Sequence, residues 1–364
     1  MRVIIKDFAP FGENARNSEG AFITLNNGDI LFIYSRYCTT SGHDNAPADL
    51  YGAISKDEGK TFGEPFPVIK CSEIENASNL MSTSLLRLNN GDIGLFFLRK
   101  SVHSTIKGLF NCQPCLIRSS DEGKTWHDFQ VIENEELYLV LNNDRVIKLD
   151  DGTLVFMVAR HDSYKKDDSK FGAYELLPAY DVAYVSEDDG KTWKKQGKID
   201  KIYTFGSGLQ EPGVIQKQDG SLYCFIRTDL GFQFESFSVD KGKTWTIPRQ
   251  SRFTAPISPM TMKRLNNGDI MAVWNPVPLY NGRSQNVDGV WTGGRNPLVY
   301  AISKDDGKTW SAHKVIENDE RSGFCYIALH ETENSILLGY CAGSVEDGGC
   351  LNRLRISRIQ KEDL

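Results

Sequence analysis

The sequence predicts an all-β chain, a six-bladed β-propeller of four-stranded antiparallel blades running through residues 1–364 as one domain. Three observations predict it. One octapeptide recurs five times, a second hairpin pattern recurs upstream of each copy, and no segment carries a 3.6-residue apolar period.

The octapeptide reads Ser-x-Asp-x-Gly-Lys-Thr-aromatic: SKDEGKTF from Ser55, SSDEGKTW from Ser119, SEDDGKTW from Ser186, SVDKGKTW from Ser238 and SKDDGKTW from Ser303. Its chemistry is that of a hairpin turn. Asp can bond the local backbone, Gly can take a positive φ, and Ser and Thr can tie down the remaining turn groups. The closing Trp or Phe can return beneath the turn. Asp57, Asp121, Asp188, Asp240 and Asp305 are therefore structural residues, not candidate acids.

The upstream pattern is an apolar run, a polar Gly turn and a second apolar run. It is centred on Gly28, Gly91, Gly152, Gly220 and Gly268, with a degenerate sixth copy around Asn334. Each unit thus holds an inner hairpin followed by an outer one. The sixth unit lacks the octapeptide. Its outer part falls on Asn352–Ile359, and Arg2–Asp7 is the candidate strand that completes it.

Hydrophobic residues at 40% and charged residues at 25% are ordinary globular values, and 32 Gly supply the many turns. The longest apolar runs, such as Ile93–Leu98, fall far short of the ~20 residues of a membrane helix. Net charge is −6, from 42 Lys and Arg against 48 Asp and Glu, without a long basic run. That balance disfavours nucleic acid. It also requires that an anionic ligand be met by a local arginine cluster. Met1–Pro10 reads as no secretory leader, so the eight cysteines are expected as reduced thiols of a cytoplasmic protein. Cys112 and Cys115 form a lone CxxC without a second ligand pair, and no metal site is read from it.

Charged or hydroxylic residues on innermost strands and their loops are the candidates for function: Arg16, Asp44, Arg99, Lys100, Asp144, Arg145, Glu211, Arg227, Arg295 and Tyr326. Their order between the five turns resembles the sialidase (neuraminidase) superfamily of exo-α-sialidases, over essentially the whole chain. The resemblance implies three arginines clamping a substrate carboxylate, an Asp acid/base, and a Tyr nucleophile paired with a Glu. Arg16 precedes the first hairpin, although the usual Ile-Pro is missing and about two residues are inserted. Asp44 lies eleven residues before Ser55, with Asp49 as the alternative. Glu211 and Arg227 flank the fourth inner hairpin. Arg295 precedes the strand that leads to the last turn, with Arg283 as a nearby competitor. Tyr326 opens the last unit, followed by Ile327 where the family commonly has Ser.

These types fit the implied chemistry. Arg stays charged and can bind a carboxylate bidentately. A tyrosine is neutral until it attacks, so the substrate's own carboxylate does not repel it, and Glu211 can take its proton. Sialidases are known exceptions to the two-carboxylate glycosidase scheme. The resemblance implies retention, a sialoside or other acidic glycan as substrate, and no metal or organic cofactor. Two other readings stay open. One is a glycosidase or lyase for another acidic sugar. The other is a non-catalytic carbohydrate-binding propeller, which requires Tyr326 and Glu211 to lie too far apart to share a proton. Arg99, Lys100, Asp144 and Arg145 either line a subsite or tie blades together, and the ties are preferred. His43 and Trp274 are candidate pocket walls.

Overall fold

The computed structural model describes residues 2–106, 108–165, 174–204, 206–280 and 283–364. Among them the fold is all-β, and the helical elements are two short 3₁₀ turns, Cys71–Glu73 and Lys361–Asp363. Among the described residues no helix is long and apolar enough to cross a membrane.

The strands pair as the repeats predict. The first unit runs Asn17–Thr24, Ile30–Tyr37, Ala48–Ser55 and Phe66–Ile69, each antiparallel to the next. The fourth runs Gln210–Gln216, Leu222–Arg227, Phe232–Ser238 and Arg249–Thr254, and the fifth begins at Thr261–Arg264 and ends at Lys314–Glu317. The last combines Cys325–Glu331, Ser335–Cys341 and Leu354–Gln360 with the N-terminal strand Arg2–Phe8, Arg2 facing Ile359. An ion pair of Asp7 with Arg355 pins the two terminal strands together, and one of Arg2 with Glu317 ties the N-terminal strand to the fifth unit.

One pairing was not predicted. The second and third units are fused into a single sheet by Tyr138–Val140, which runs parallel to Phe110–Ser119 and antiparallel to Leu154–His161. The third unit's own inner strand shrinks to Ile147–Lys148. Two further small hairpins, Ser163–Lys165 with Tyr174–Leu176 and Asn286–Val287 with Val290–Trp291, stand apart from the units.

The five turns share one bonding scheme. In the third, Gly190 N donates to Ser186 Oγ at 2.8 Å, Thr192 N to Asp188 Oδ1 at 2.8 Å, and Thr192 Oγ1 to Asp188 Oδ2 at 2.6 Å. The same bonds recur around Asp57, Asp121, Asp240 and Asp305. The tip bends through two consecutive left-handed residues, such as Asp189 and Gly190. Trp193 then packs against Phe156 with ring centroids 4.9 Å apart. Side chains facing between sheets are apolar. Cys112 and Cys115 fall in two different core clusters, on opposite faces of one strand, so their spacing makes no metal site.

Candidate functional site

Four inner strands carry a β-bulge, and at each the bulged residue has positive φ: Glu19 (59°), Ser82 (58°), Glu211 (48°) and Tyr326 (57°). Asp144 (57°) holds the same backbone state just before the third inner strand. Left-handed backbone at a non-glycine residue costs about 1–3 kcal/mol, and a bulge re-aims the side chain it carries. Glu19, Ser82, Glu211 and Tyr326 all open onto one cavity of about 330 Å³.

The backbone around these bulges is tied between units. Thr83 Oγ1 donates to the carbonyls of Glu19 and Ile33, Asn143 Nδ2 to those of Gly20 and Tyr326, and Thr261 Oγ1 to that of Ile327. Asp144 pairs with Lys263 at 2.7 Å and accepts from Leu329 N. Arg145 donates to Thr261 Oγ1 and Met260 O. Asp144 and Arg145 are thus ties between units. Arg99 bonds Gln113 and the Glu75 carbonyl within its own unit.

Of the residues to which the resemblance gives a role, Asp44, Glu211, Arg227, Arg295 and Tyr326 line the cavity and Arg16 does not. Tyr326 Oη donates to Glu211 Oε1 at 2.9 Å, and Arg227 Nη1 donates to Glu211 Oε2 at 2.8 Å. The separation that a binding-only reading requires between Tyr326 and Glu211 is not present. Burial and the charge of Glu211 push the Tyr326 phenol well above its ordinary range, against the opposing pull of Arg295 and Arg227.

Arg16 is buried behind the cavity wall, and its guanidinium reaches the cavity through two carboxylates. It donates to Glu19 Oε1 at 2.7 Å and to Asp44 Oδ1 at 2.5 Å, with Ser18 Oγ on Nε. The Asp44 carboxyl stands half-exposed at the mouth. Partial burial pushes its pKa up, but the charges of Arg16 and Lys100 and the Arg16 hydrogen bond outweigh that and hold it at about 2. Asp49, the alternative, is instead a strand residue that accepts from Cys71 N and Cys38 Sγ. Arg283 bonds the carbonyls of Val277 and Asn296. His43 accepts from Asn45 N in its own loop, and Trp274 packs in the core against Phe253.

The site also holds residues to which the family resemblance gave no role. Glu19 accepts from Arg16 and from Ser82 Oγ. Its signal was present as an acidic residue at the head of an apolar strand. Lys100 lines the cavity and donates to the Asp44 carbonyl at 2.9 Å. Trp291, from a small hairpin, stacks 4.9 Å from the Arg295 guanidinium.

Comparison with known proteins places the geometry in context. The BNR repeat-like domain family matches residues 70–339. A sialidase of Bacteroides fragilis (strain YCH46) is 28% identical over 336 residues, which are 84% of this chain and 56% of that protein, so the chain spans about half the length of this curated relative. Among solved structures, a protein of unknown function from Dyadobacter fermentans is similar with a TM-score of 0.71 at 18% identity, over 98% of this chain and 99% of that one. The intramolecular trans-sialidase from Ruminococcus gnavus, solved with oseltamivir carboxylate, is similar with a TM-score of 0.68 at 15% identity, over 97% and 96%. At these identities the structural likeness speaks for the fold.

Proposed function

From a chain that belongs to the BNR repeat-like family of the sialidase superfamily, we infer a retaining exo-α-sialidase built on a six-bladed β-propeller. The observation that carries the reading is the relay of Tyr326 Oη to Glu211 and Glu211 to Arg227 on the floor of one cavity.

Arg227 and Arg295 face the cavity and would hold the sugar's carboxylate, with Arg16 reached from behind. A carboxylate drawn to Arg16 competes with Asp44 for the same guanidinium. Losing that partner raises the Asp44 pKa, so ligand binding itself turns Asp44 toward the protonated form a general acid requires. In the first step Tyr326 Oη attacks the anomeric carbon while Glu211 takes its proton. The glycosidic C–O bond breaks, and Asp44 gives its proton to the leaving oxygen. In the second step Asp44 takes a proton from water, whose oxygen attacks the same carbon. The tyrosyl C–O bond breaks, and Glu211 returns the proton to Tyr326. Two displacements at one carbon retain configuration.

The direct test is turnover of a fluorogenic α-sialoside by the purified chain, alongside Tyr326→Phe and Asp44→Ala. Turnover that both substitutions suppress supports the reading. A folded wild-type chain that turns over no α-sialoside overturns it, and parallel screening of uronic-acid glycosides would then test the other acidic-sugar reading.

A further inference from the structure

The three arginines are held by different partners. Arg16 meets Glu19 and Asp44, and Arg227 meets Glu211. Arg295 meets a sulfur. Its Nη1 donates to Cys325 Sγ at 3.0 Å, while Nε and Nη2 donate to Ile257 O at 3.3 and 3.1 Å. These bonds engage three of the five N–H groups of a guanidinium. The rings of Trp291 and Tyr326 lie 4.9 and 5.3 Å from its centre.

Cys325 is part of a cluster. Cys341 stands directly opposite it across the antiparallel strand pair, and Cys350 completes a fully buried group of three thiols against Tyr326. Cys350 is anchored in turn, with its N–H donating to Trp291 O at 3.2 Å. A buried guanidinium is costly without a counter-charge, and a cysteine merely filling core space is an inert small hydrophobe. Cys341 and Cys350 pack around Cys325, and its sulfur accepts from Arg295. A buried guanidinium donating to a sulfur favours the thiolate.

Resting on the reading of Arg295 as a carboxylate clamp, we propose that Cys325 is the positioning residue of Arg295, its sulfur standing where carboxylates stand beside Arg16 and Arg227. Burial alone would push the Cys325 thiol up. The neighbouring Cys341 and Cys350 thiols and the charge of Arg295 outweigh it and hold it well below the ordinary thiol range. The same burial, with the neighbouring Cys325 anion, pushes Cys341 and Cys350 up, so they remain protonated donors. A soft anion of this kind satisfies Arg295 without occupying the cavity. The terminal N–H groups that remain are left for the ligand.

The test compares wild type, Cys325→Ser and Cys341→Ala by ultraviolet thiolate absorption at neutral pH, thermal melting, and steady-state kinetics on a fluorogenic α-sialoside. Wild type is expected to show a thiolate band that vanishes on unfolding and in Cys325→Ser. Cys325→Ser should raise KM about tenfold with kcat changed less than about twofold, the pattern for lost ground-state positioning. If Cys325→Ser does not fold, Cys341→Ala decides: it keeps the Arg295–Cys325 contact, removes one neighbouring thiol, and should weaken the band. A purely structural cluster predicts no band in the native wild type, and that result overturns the proposal whether or not sialosides are turned over. A wild-type KM in a folded Cys325→Ser also overturns it. A band without any turnover sinks the sialidase reading while leaving the pairing of Cys325 with Arg295 supported.

Discussion

The turns at the outer hairpins and the bulges on the inner strands are both repeats, but they repeat different things. At the turns the side chains are constant. Ser, Asp and Thr close the same bonds five times, because those side chains are what make the turn. At the bulges the backbone is constant and the side chains vary: Glu19, Ser82, Glu211 and Tyr326 share one left-handed conformation and little else. The first repeat holds the scaffold by its side chains. The second uses the scaffold to hold strained backbone, and leaves the side chain free for chemistry.

The sharpest way to break this division is to change a bulge residue without touching its backbone. Tyr326→Phe removes the Oη that donates to Glu211 and keeps the ring against Arg295. Activity is expected to fall by about 10³-fold or more, with an unchanged melting transition. Steady-state assay and thermal melting check both halves. A parallel loss of stability would show that the bulge side chain is structural after all.

Next in size is Arg227→Lys. It keeps a positive charge beside Glu211 but removes the planar fork. The expected outcome is a rise in KM of about tenfold or more on a carboxylate-bearing substrate. Measuring KM and kcat separately checks it. An equal fall in kcat with KM unchanged would instead assign Arg227 to orienting Glu211 alone.

The contrast between the two repeats also explains what the sequence disclosed. The turns were legible because each residue type states its own bond, and with them the strand order and the N-terminal strand against the last unit. The candidate residues were legible only through the family's order of charges. No residue type announces a left-handed bulge, since Glu, Ser and Tyr have no preference for positive φ, so the reason these side chains converge was hidden. Tyr138–Val140 is too short an apolar run to stand out as a strand, which is why the fusion of the second and third units was missed. Cys325 was read only as one of eight reduced thiols, because nothing in sequence places its sulfur beside Arg295. Asp44 lies at the cavity mouth, but nothing near it in sequence says that Arg16 grips its carboxylate.

From the other side of the division, Ser186→Ala should act on stability and leave chemistry alone. Ser186 is buried, and its Oγ accepts from Gly190 N and donates to Asp188. Its loss leaves a buried N–H unpaired, at a cost of about 1–2 kcal/mol. Denaturant unfolding should show that loss with kcat and KM unchanged. A changed kcat would mean that turn geometry reaches the cavity.

The smallest expected effect concerns a residue that belongs to neither repeat. Asp181 lies on the strand Tyr180–Ser186, fully buried, and among the described residues neither of its carboxyl oxygens has a hydrogen-bond partner. Burial raises its pKa well above the ordinary carboxyl value. The folded state therefore keeps a proton that the unfolded chain releases near pH 4. Wherever the folded state binds more protons, stability falls as pH rises. Wild-type stability should accordingly carry a downward slope above about pH 4 that continues up to the folded-state pKa. Asp181→Asn, which cannot ionise, should remove this slope while differing from wild type by only about 0.5–1 kcal/mol near pH 4, where both side chains are neutral. Unfolding curves at a series of pH values check it. A slope that survives Asp181→Asn would assign the pH dependence to another buried group, and would show that Asp181 is paired in solution.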